Sequence, residues 1–278
     1  MQDYDFDLQS IQAVRDLARK GKIAANQLAH YDEEQIDRIL RNMVKVAEEN
    51  AQVLASMAVE ETGFGKVCDK VYKNHIASAL LYEEIRDKKT IGVIDADEKN
   101  QVISIAEPVG LLMGIVPSTN PTSTVIYKAM IALKARNAIV FSPHPAAAKC
   151  TGMAIQLMNQ AAVEAGAPEN VIQGITLSSM AATNELMHAP EVAMIIATGG
   201  PGMVKAAYSA WWELRKTVLS TYRDSLPEQA PPLHTQKEFR HLKNIVLRIA
   251  KEGCPAPEPE QEFDAVQAPQ DRGAQHAV

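Results

Sequence analysis

Residues 114–124 decide the fold: they read Gly-Ile-Val-Pro-Ser-Thr-Asn-Pro-Thr-Ser-Thr, an apolar run that ends in polar residues and prolines. The run Leu111–Val116 predicts a buried strand, and a helix is expected to follow, with Asn120 as its cap and Pro121 at its first position. In open parallel sheets, ligands bind just beyond the carboxyl ends of the strands. The polar residues therefore face the expected crevice, although helix capping is the simpler explanation of their spacing alone.

Three more apolar runs, at 138–141, 171–175 and 192–197, alternate with segments of helical spacing. Apolar strands separated by helices are typical of parallel βαβ units that are buried on both faces, so we predict a Rossmann-like sheet. The first 90 residues have the spacing of amphipathic helices, and two β-rich runs within 90–107 flank a polar turn. The expected fold is α/β, with amino-terminal helices and a hairpin before the parallel sheet.

The composition changes along the chain suggest three parts. Residues 1–107 would hold the helices and an oligomerisation-type hairpin, and 108–209 would form a partial nucleotide-binding domain. Residues 210–278 contain both tryptophans and seven of the prolines and end in a polar segment, which predicts disorder there. We interpret this last part as disordered or translated out of frame.

Two other strand ends carry candidate binding residues. Thr198, Gly199 and Gly200 follow the run at 192–197 and precede a helix start, where backbone amides can seat a phosphate, although a structural glycine turn is an equal alternative. Ser142, Pro143 and His144 follow the run at 138–141. A histidine there could donate to a ribose or a phosphate, but a histidine between prolines is more often a rigid loop residue.

Bulk composition excludes several classes of function. A net charge of −6 and a pI near 5.7 argue against nucleic-acid binding. The sequence has no signal-peptide core and no apolar run of membrane-spanning length, so we expect a cytoplasmic protein without membrane contact. Cys68, Cys150 and Cys254 lack disulfide or metal-ligand spacing, and the histidines form no paired motif, so no metal is expected.

Several segments together resemble a known family, the CoA-acylating acetaldehyde dehydrogenases, which include the amino-terminal half of bifunctional aldehyde-alcohol dehydrogenases and related single-domain enzymes. The resemblance covers roughly residues 10–209, less than half of a complete aldehyde dehydrogenase domain. It is carried by ETGFGK at 61–66, AEPVG at 106–110, the stretch at 114–124, KARNAIVFSPHP at 134–145 and IATGGPGMVKAAYS at 196–209.

The resemblance implies that a cysteine thiolate attacks a small aldehyde, hydride passes to NAD, and the thioester is transferred to coenzyme A. NADP is an alternative cofactor, and a homo-oligomer is expected for the family. The side-chain amide of Asn120 would donate to the oxyanion of the tetrahedral intermediate.

The cofactor would be bound by residues from all three strand ends. Thr198, Gly199 and Gly200 would lie beside the phosphates, and Ser142, Pro143 and His144 would line the adenosine ribose; Pro117, Ser118 and Thr119 would complete the cofactor site. Many non-acylating aldehyde dehydrogenases have Lys and Glu where this chain has Ser142 and His144, which favours the acylating branch.

The family's nucleophilic cysteine has no counterpart in this sequence. Cys68 and Cys150 lie in predicted helices and are interpreted as structural thiols, and the surroundings of Cys254 do not match the family motif. We therefore expect a truncated chain that is inactive by itself and marginally stable, because its sheet edge and apolar surface are uncovered. The alternatives are a non-catalytic NAD-binding or oligomerising fragment and a non-acylating aldehyde dehydrogenase.

Overall fold

The computed structural model describes residues 6–99 and 101–210. The predictions for Cys254, for the two tryptophans and for disorder after residue 210 lie outside these residues. The division of the chain at 107 and 209 remains a prediction.

The elements follow one another in the predicted order, with helices first, then a hairpin, then alternating strands and helices. The amino-terminal helices are α1 (Phe6–Leu28), α2 (Glu33–Glu49), α3 (Ala51–Thr62), α4 (Val67–His75) and α5 (Leu81–Ile85), with a π-helical turn over Ile76–Leu80 between the last two. The hairpin consists of β1 (Gly92–Asp97) and β2 (Val102–Ala106). The remaining elements are β3 (Leu111–Val116), α6 (Pro121–Lys134), β4 (Ala138–Pro143), a 3-10 turn (Pro145–Ala147), α7 (Ala148–Glu164), β5 (Ile172–Gly174), α8 (Met180–Met187), β6 (Val192–Ala197) and helical residues at 201–210.

The predicted parallel sheet is confirmed. Its four strands lie in the order β5-β4-β3-β6, and every neighbouring pair is parallel. All residues of β3 and β4 are buried, because α6 and α7 pack on one face of the sheet and α1 packs on the other. Burial on both faces explains why these strands are continuous apolar runs in the sequence. β4 continues to Pro143, two residues beyond the predicted run.

Two glycines allow close packing, one between α1 and the sheet and one within the sheet. Gly21 lets α1 approach the sheet, since a Cβ there would lie 2.7 Å from Leu111 Cδ1. Gly114 on β3 is paired in register with Phe141 on β4, and a Cβ at Gly114 would lie 2.7 Å from the Phe141 ring. The ring therefore occupies the space that a side chain at Gly114 would need.

The other amino-terminal helices, α2, α3 and α4, pack against α6 and α7 rather than against the sheet itself. α2 begins with a capping box, in which the Asp32 carboxylate accepts from the Gln35 amide and the Gln35 side chain accepts from the Asp32 amide. Asn42 of α2 donates to the Ala161 carbonyl of α7, 2.8 Å away. Residues of α2 and of the sheet therefore contribute to one hydrophobic core.

The capping predicted for Asn120 is wrong. Asn120 occupies the N-cap position of α6, but its side chain makes no cap hydrogen bond. Its Oδ1 instead accepts from Lys73 Nζ of α4, 3.0 Å away, while Thr124 Oγ1 donates to the Asn120 carbonyl. A charged donor competes well against a backbone amide, so the carboxamide is drawn away from its own helix. The next helix also differs: Pro145 opens a 3-10 turn, and α7 begins at Ala148.

Candidate functional site

A cavity of about 630 Å³ lies at the carboxyl ends of β3, β4 and β6. It is lined by all ten residues that the sequence singled out: Pro117, Ser118, Thr119, Asn120, Ser142, Pro143, His144, Thr198, Gly199 and Gly200. Parallel strands place their carboxyl ends at one edge, which is why residues as far apart in sequence as Pro117 and Gly200 meet here. Four further lining residues lie outside the segments that the sequence singled out: Ser178, Ser179, Met180 and Thr183.

The first wall, residues 117–120, is held by helix α4. Lys70 Nζ donates to the Thr119 carbonyl at 2.8 Å, and Lys73 Nζ donates to Asn120 Oδ1 at 3.0 Å. Lys70 is buried, and its pKa is lowered by that burial and by the charge of Lys73. Neither lysine was predicted to be near the site, since their spacing places them on one helix face without indicating what that face contacts.

The second wall, residues 142–144, is fixed by hydrogen bonds at both ends. Ser142 Oγ and Thr183 Oγ1 of α8 are 2.9 Å apart. The Ala146 amide donates to His144 Nδ1 at 3.1 Å, so the proton of the neutral imidazole lies on Nε2. The Nε2 of His144 is thus a donor that takes no part in the hydrogen bond with the Ala146 amide.

The third wall, residues 198–200, leads directly into the helical residues 201–210. The Val204 amide donates to the Gly200 carbonyl, which marks the first helical hydrogen bond. The amides that precede this bond have no helical acceptor, and the positive end of the helix dipole lies among them. An added Cβ at Gly200 would meet no atom within 4 Å, so the wall is open at this position.

A buried lysine joins two of the strand ends. Lys128 of α6 is 1% exposed, and its Nζ donates to the Ile115 carbonyl of β3 at 2.7 Å and to the Ile196 carbonyl of β6 at 2.8 Å. Burial lowers the pKa of Lys128 to about 8. Lys128 was not predicted from the sequence, since a single lysine in a helix usually lies on the solvated face.

The depressed pKa of Lys128 predicts a pH-dependent stability. Between the folded pKa of about 8 and the unfolded pKa of 10.5, the unfolded chain binds more protons, so stability should rise with pH in this window. Relative to Lys128→Met, the wild type should gain about 2 kcal/mol between about pH 7 and pH 9.5. Urea unfolding of both proteins at the two pH values measures this difference. If the stability of the wild type and of Lys128→Met changed equally between the two pH values, the pH dependence could not be due to Lys128.

The two described cysteines differ sharply in environment. Cys150 is fully buried at the start of α7, where the Glu61 carboxylate of α3 accepts from the Lys149 amide at 2.8 Å and the Cys150 amide at 2.7 Å. Burial, followed by the hydrogen bond and charge of Glu61, raises the pKa of Cys150 to about 12. Cys68 is exposed on α4. Neither residue lines the cavity.

Cys150 is therefore expected to resist alkylation in the folded protein. At pH 8 its thiolate fraction should be roughly one part in ten thousand, and the buried sulfur is shielded as well. Treatment with iodoacetamide should label Cys68 and leave Cys150 unmodified, as read by peptide mass spectrometry. Unfolding in urea supplies the control, because both thiols should then react. Labelling of native Cys150 as fast as Cys68 would refute the assignment.

Within the described residues, no three His, Cys, Asp or Glu side chains come together as a metal-binding group. No described helix is both long and apolar enough to cross a bilayer.

An open parallel sheet with a cavity at its carboxyl edge, beside a glycine turn and a helix start, is the construction of nucleotide-binding α/β proteins. The sequence profile of the aldehyde dehydrogenase family matches residues 5–220, and the chain belongs to this family.

Relatives and solved structures narrow the comparison to the acylating branch. The bifunctional aldehyde-alcohol dehydrogenase of Escherichia coli K12 is 50% identical over 194 residues, which are 70% of this chain and 22% of that protein. An acetylating aldehyde dehydrogenase from Geobacillus thermoglucosidasius superposes with a TM-score of 0.72 at 57% identity, over 74% of this chain and 46% of that one. The chain therefore spans about a fifth to a half of the length of these proteins.

A further solved structure shows the ligands of a more distant relative. The propionaldehyde dehydrogenase of Rhodopseudomonas palustris, with bound CoA and an acylated cysteine, has a TM-score of 0.62 at 32% identity and covers 72% of this chain and 45% of its own. The homologues of this chain are thus CoA-acylating aldehyde dehydrogenases, as the sequence resemblance predicted.

Proposed function

We propose that this chain supplies the NAD-binding side and the oxyanion donor of a CoA-acylating aldehyde dehydrogenase, which converts a small aldehyde, CoA and NAD into acyl-CoA and NADH. The observation that carries the proposal is the meeting of three separate strand ends around one cavity. The R. palustris relative, with its bound CoA and acylated cysteine, supports the acylating reaction.

The cavity fits a dinucleotide. The turn at Gly199 and Gly200 has backbone amides at a helix start, where phosphates are stabilised, and Gly200 has no side chain in the way. Ser142 and the Nε2 of His144 offer hydrogen bonds to a ribose hydroxyl. NAD held by these residues would supply the hydride acceptor that oxidises the tetrahedral thiolate adduct of the aldehyde to a thioester. NADP remains the alternative cofactor.

Asn120 is proposed to stabilise the oxyanion. Its Oδ1 is engaged by Lys73, so its Nδ2 can donate to the negatively charged oxygen that forms when a thiolate attacks the aldehyde. Asn120 also borders a second, more open cavity of about 530 Å³, which includes Lys73 and Tyr127. We propose that the aldehyde approaches from this second cavity.

Neither described cysteine is proposed as the nucleophile, since Cys150 is buried with a raised pKa and Cys68 is outside the cavity. We therefore propose that the chain binds NAD but does not complete acyl transfer alone. The reducing cytoplasm, which suits an exposed free thiol, remains the proposed location.

Calorimetric titration with NAD, combined with an assay for NADH formed from acetaldehyde, CoA and NAD, tests this function. Binding without turnover is expected. Absence of NAD binding would refute the cofactor role, and robust turnover would refute the assignment of the cysteines.

A homo-oligomer is proposed to form through the β1–β2 hairpin. Val93, Ile103 and Ile105 are between 44% and 63% exposed, and Val93 is paired in register with Ile105. A two-stranded hairpin is marginally stable without further packing, so we propose that a second copy of the chain packs on its exposed apolar residues. Light scattering of the wild type and Ile103→Lys tests this. A wild-type monomer would refute it.

A further inference from the structure

Helix α4 contacts the site turn through three side chains on one face. Lys70, Lys73 and Asn74 are spaced i, i+3 and i+4, which places them together on the helix surface. Beyond the two lysine bonds, Thr122 Oγ1 donates to Asn74 Oδ1 at 2.9 Å, and Asn74 Nδ2 donates to the Ala51 carbonyl at 3.1 Å. Asn74 and Thr122 are 1% and 2% exposed, so the buried pair anchors the turn to α4.

The Lys73 contact determines which atom of the Asn120 carboxamide is available. An ammonium group can only donate, so its partner must be the carboxamide oxygen. The opposite orientation would put the NH₂ group against the positive charge. With Oδ1 bound to Lys73 at 3.0 Å, Nδ2 is the atom left to donate elsewhere.

A competing orientation is built into the fold. Asn120 stands at the N-cap position of α6, where a side-chain oxygen ordinarily accepts from the backbone amide two or three residues later. Here those amides belong to Thr122 and Ser123. A carboxamide released by Lys73 can turn back onto its own helix or rotate freely, and in both cases the donor orientation is lost.

We propose that Lys73 is a positioning residue, which holds the Asn120 carboxamide so that Nδ2 is presented as the oxyanion donor. This role rests on the proposed function of Asn120. Lys73 acts by hydrogen bonding to Oδ1, while Lys70 and Asn74 fix the backbone of the same turn. Because Lys73 is exposed and the anchoring pair is buried, removing Lys73 should change the carboxamide without unfolding the turn.

The side-chain amide signal of Asn120 in ¹⁵N-labelled protein tests the proposal, with Asn120→Asp used to assign the signal. In the wild type, the side-chain amide of Asn120 should be ordered. In Lys73→Met its order parameter should fall below about 0.6, or the signal should move as the carboxamide changes partner. Lys73→Arg keeps a charged donor and should retain the wild-type signal.

Lys66→Met is the matched control, since Lys66 is the residue that precedes α4, is exposed, and is not a hydrogen-bond partner of Asn120. It should leave the signal unchanged. A wild-type signal in Lys73→Met, or an equal change in Lys66→Met, would overturn the proposal. NAD affinity measured on the same samples separates this proposal from the proposed function. If no sample binds NAD, the wild type included, the cofactor role is refuted, but the result on the orientation of the Asn120 carboxamide is unaffected.

Discussion

Replacing Gly114 with alanine is expected to lower the free energy of unfolding by about 2 kcal/mol. The added Cβ would lie 2.7 Å from the ring of Phe141 and 3.1 Å from Ile139, in the centre of a sheet that is covered on both faces. Neither neighbour can move into solvent, so the strands must shift. Thermal unfolding should show a melting temperature lower by roughly 4–8 °C.

Two further variants test the cause. Phe141→Leu removes the ring atoms and should be less harmful in the Gly114→Ala background than in the wild type, with a coupling of at least about 1 kcal/mol. Gly152→Ala is the control, because Gly152 is an exposed residue of α7 with no atom near an added Cβ. That change should stabilise the protein by up to about 1 kcal/mol. Additive effects of the first two changes would contradict direct overlap with Phe141.

Gly200→Glu is expected to weaken NAD binding by about 10- to 100-fold, which corresponds to roughly 1.4–2.8 kcal/mol. The open space at Gly200 accommodates the side chain, but its carboxylate would lie among the amides proposed to bind the phosphates. Repulsion between like charges at close range is of this size even with solvent screening. Calorimetric titration with NAD measures the affinity.

The same substitution elsewhere provides the comparison. Gly152→Glu introduces an equal charge at another open glycine, which does not line the cavity. Its NAD affinity should equal that of the wild type, and both variants should keep the wild-type melting temperature within a few degrees. Equal affinities in Gly200→Glu and the wild type would place the phosphates elsewhere.

Much of the site was predictable because strand ends have a simple pattern. A buried parallel strand is a continuous apolar run, so the polar residues that follow it are easily recognised. This held at Asn120 and at Thr198, whereas Ser142 lies inside β4, one residue before its end. The parallel arrangement then brings these positions to one edge without any knowledge of side-chain packing. The fold class and the cavity lining at these ends followed from that reasoning.

The lysines that support the site were not predictable from the sequence, because their hydrogen-bond partners lie far away along the chain. Lys70 and Lys73 contact residues 47 to 49 positions later in the chain, and nothing local distinguishes them from solvated lysines on an amphipathic helix. Lys128 is equally ordinary in sequence, yet it is buried because two strand carbonyls accept from it. The prediction of a side-chain cap at Asn120 failed for the same reason, since capping rules consider only neighbouring residues and not a donor on a distant helix.

The sheet order also has a kinetic consequence. Leu111 of β3 pairs with Ala138, 27 residues later, but also with Val192, 81 residues later. Distant pairings close large loops and form slowly, so β3 and β4 should associate before β6 docks. The Lys128 ammonium finds its second carbonyl only at that step. Nucleotide-binding competence should therefore appear last in refolding, after most of the helical signal has returned, and stopped-flow measurements of both signals would reveal the order.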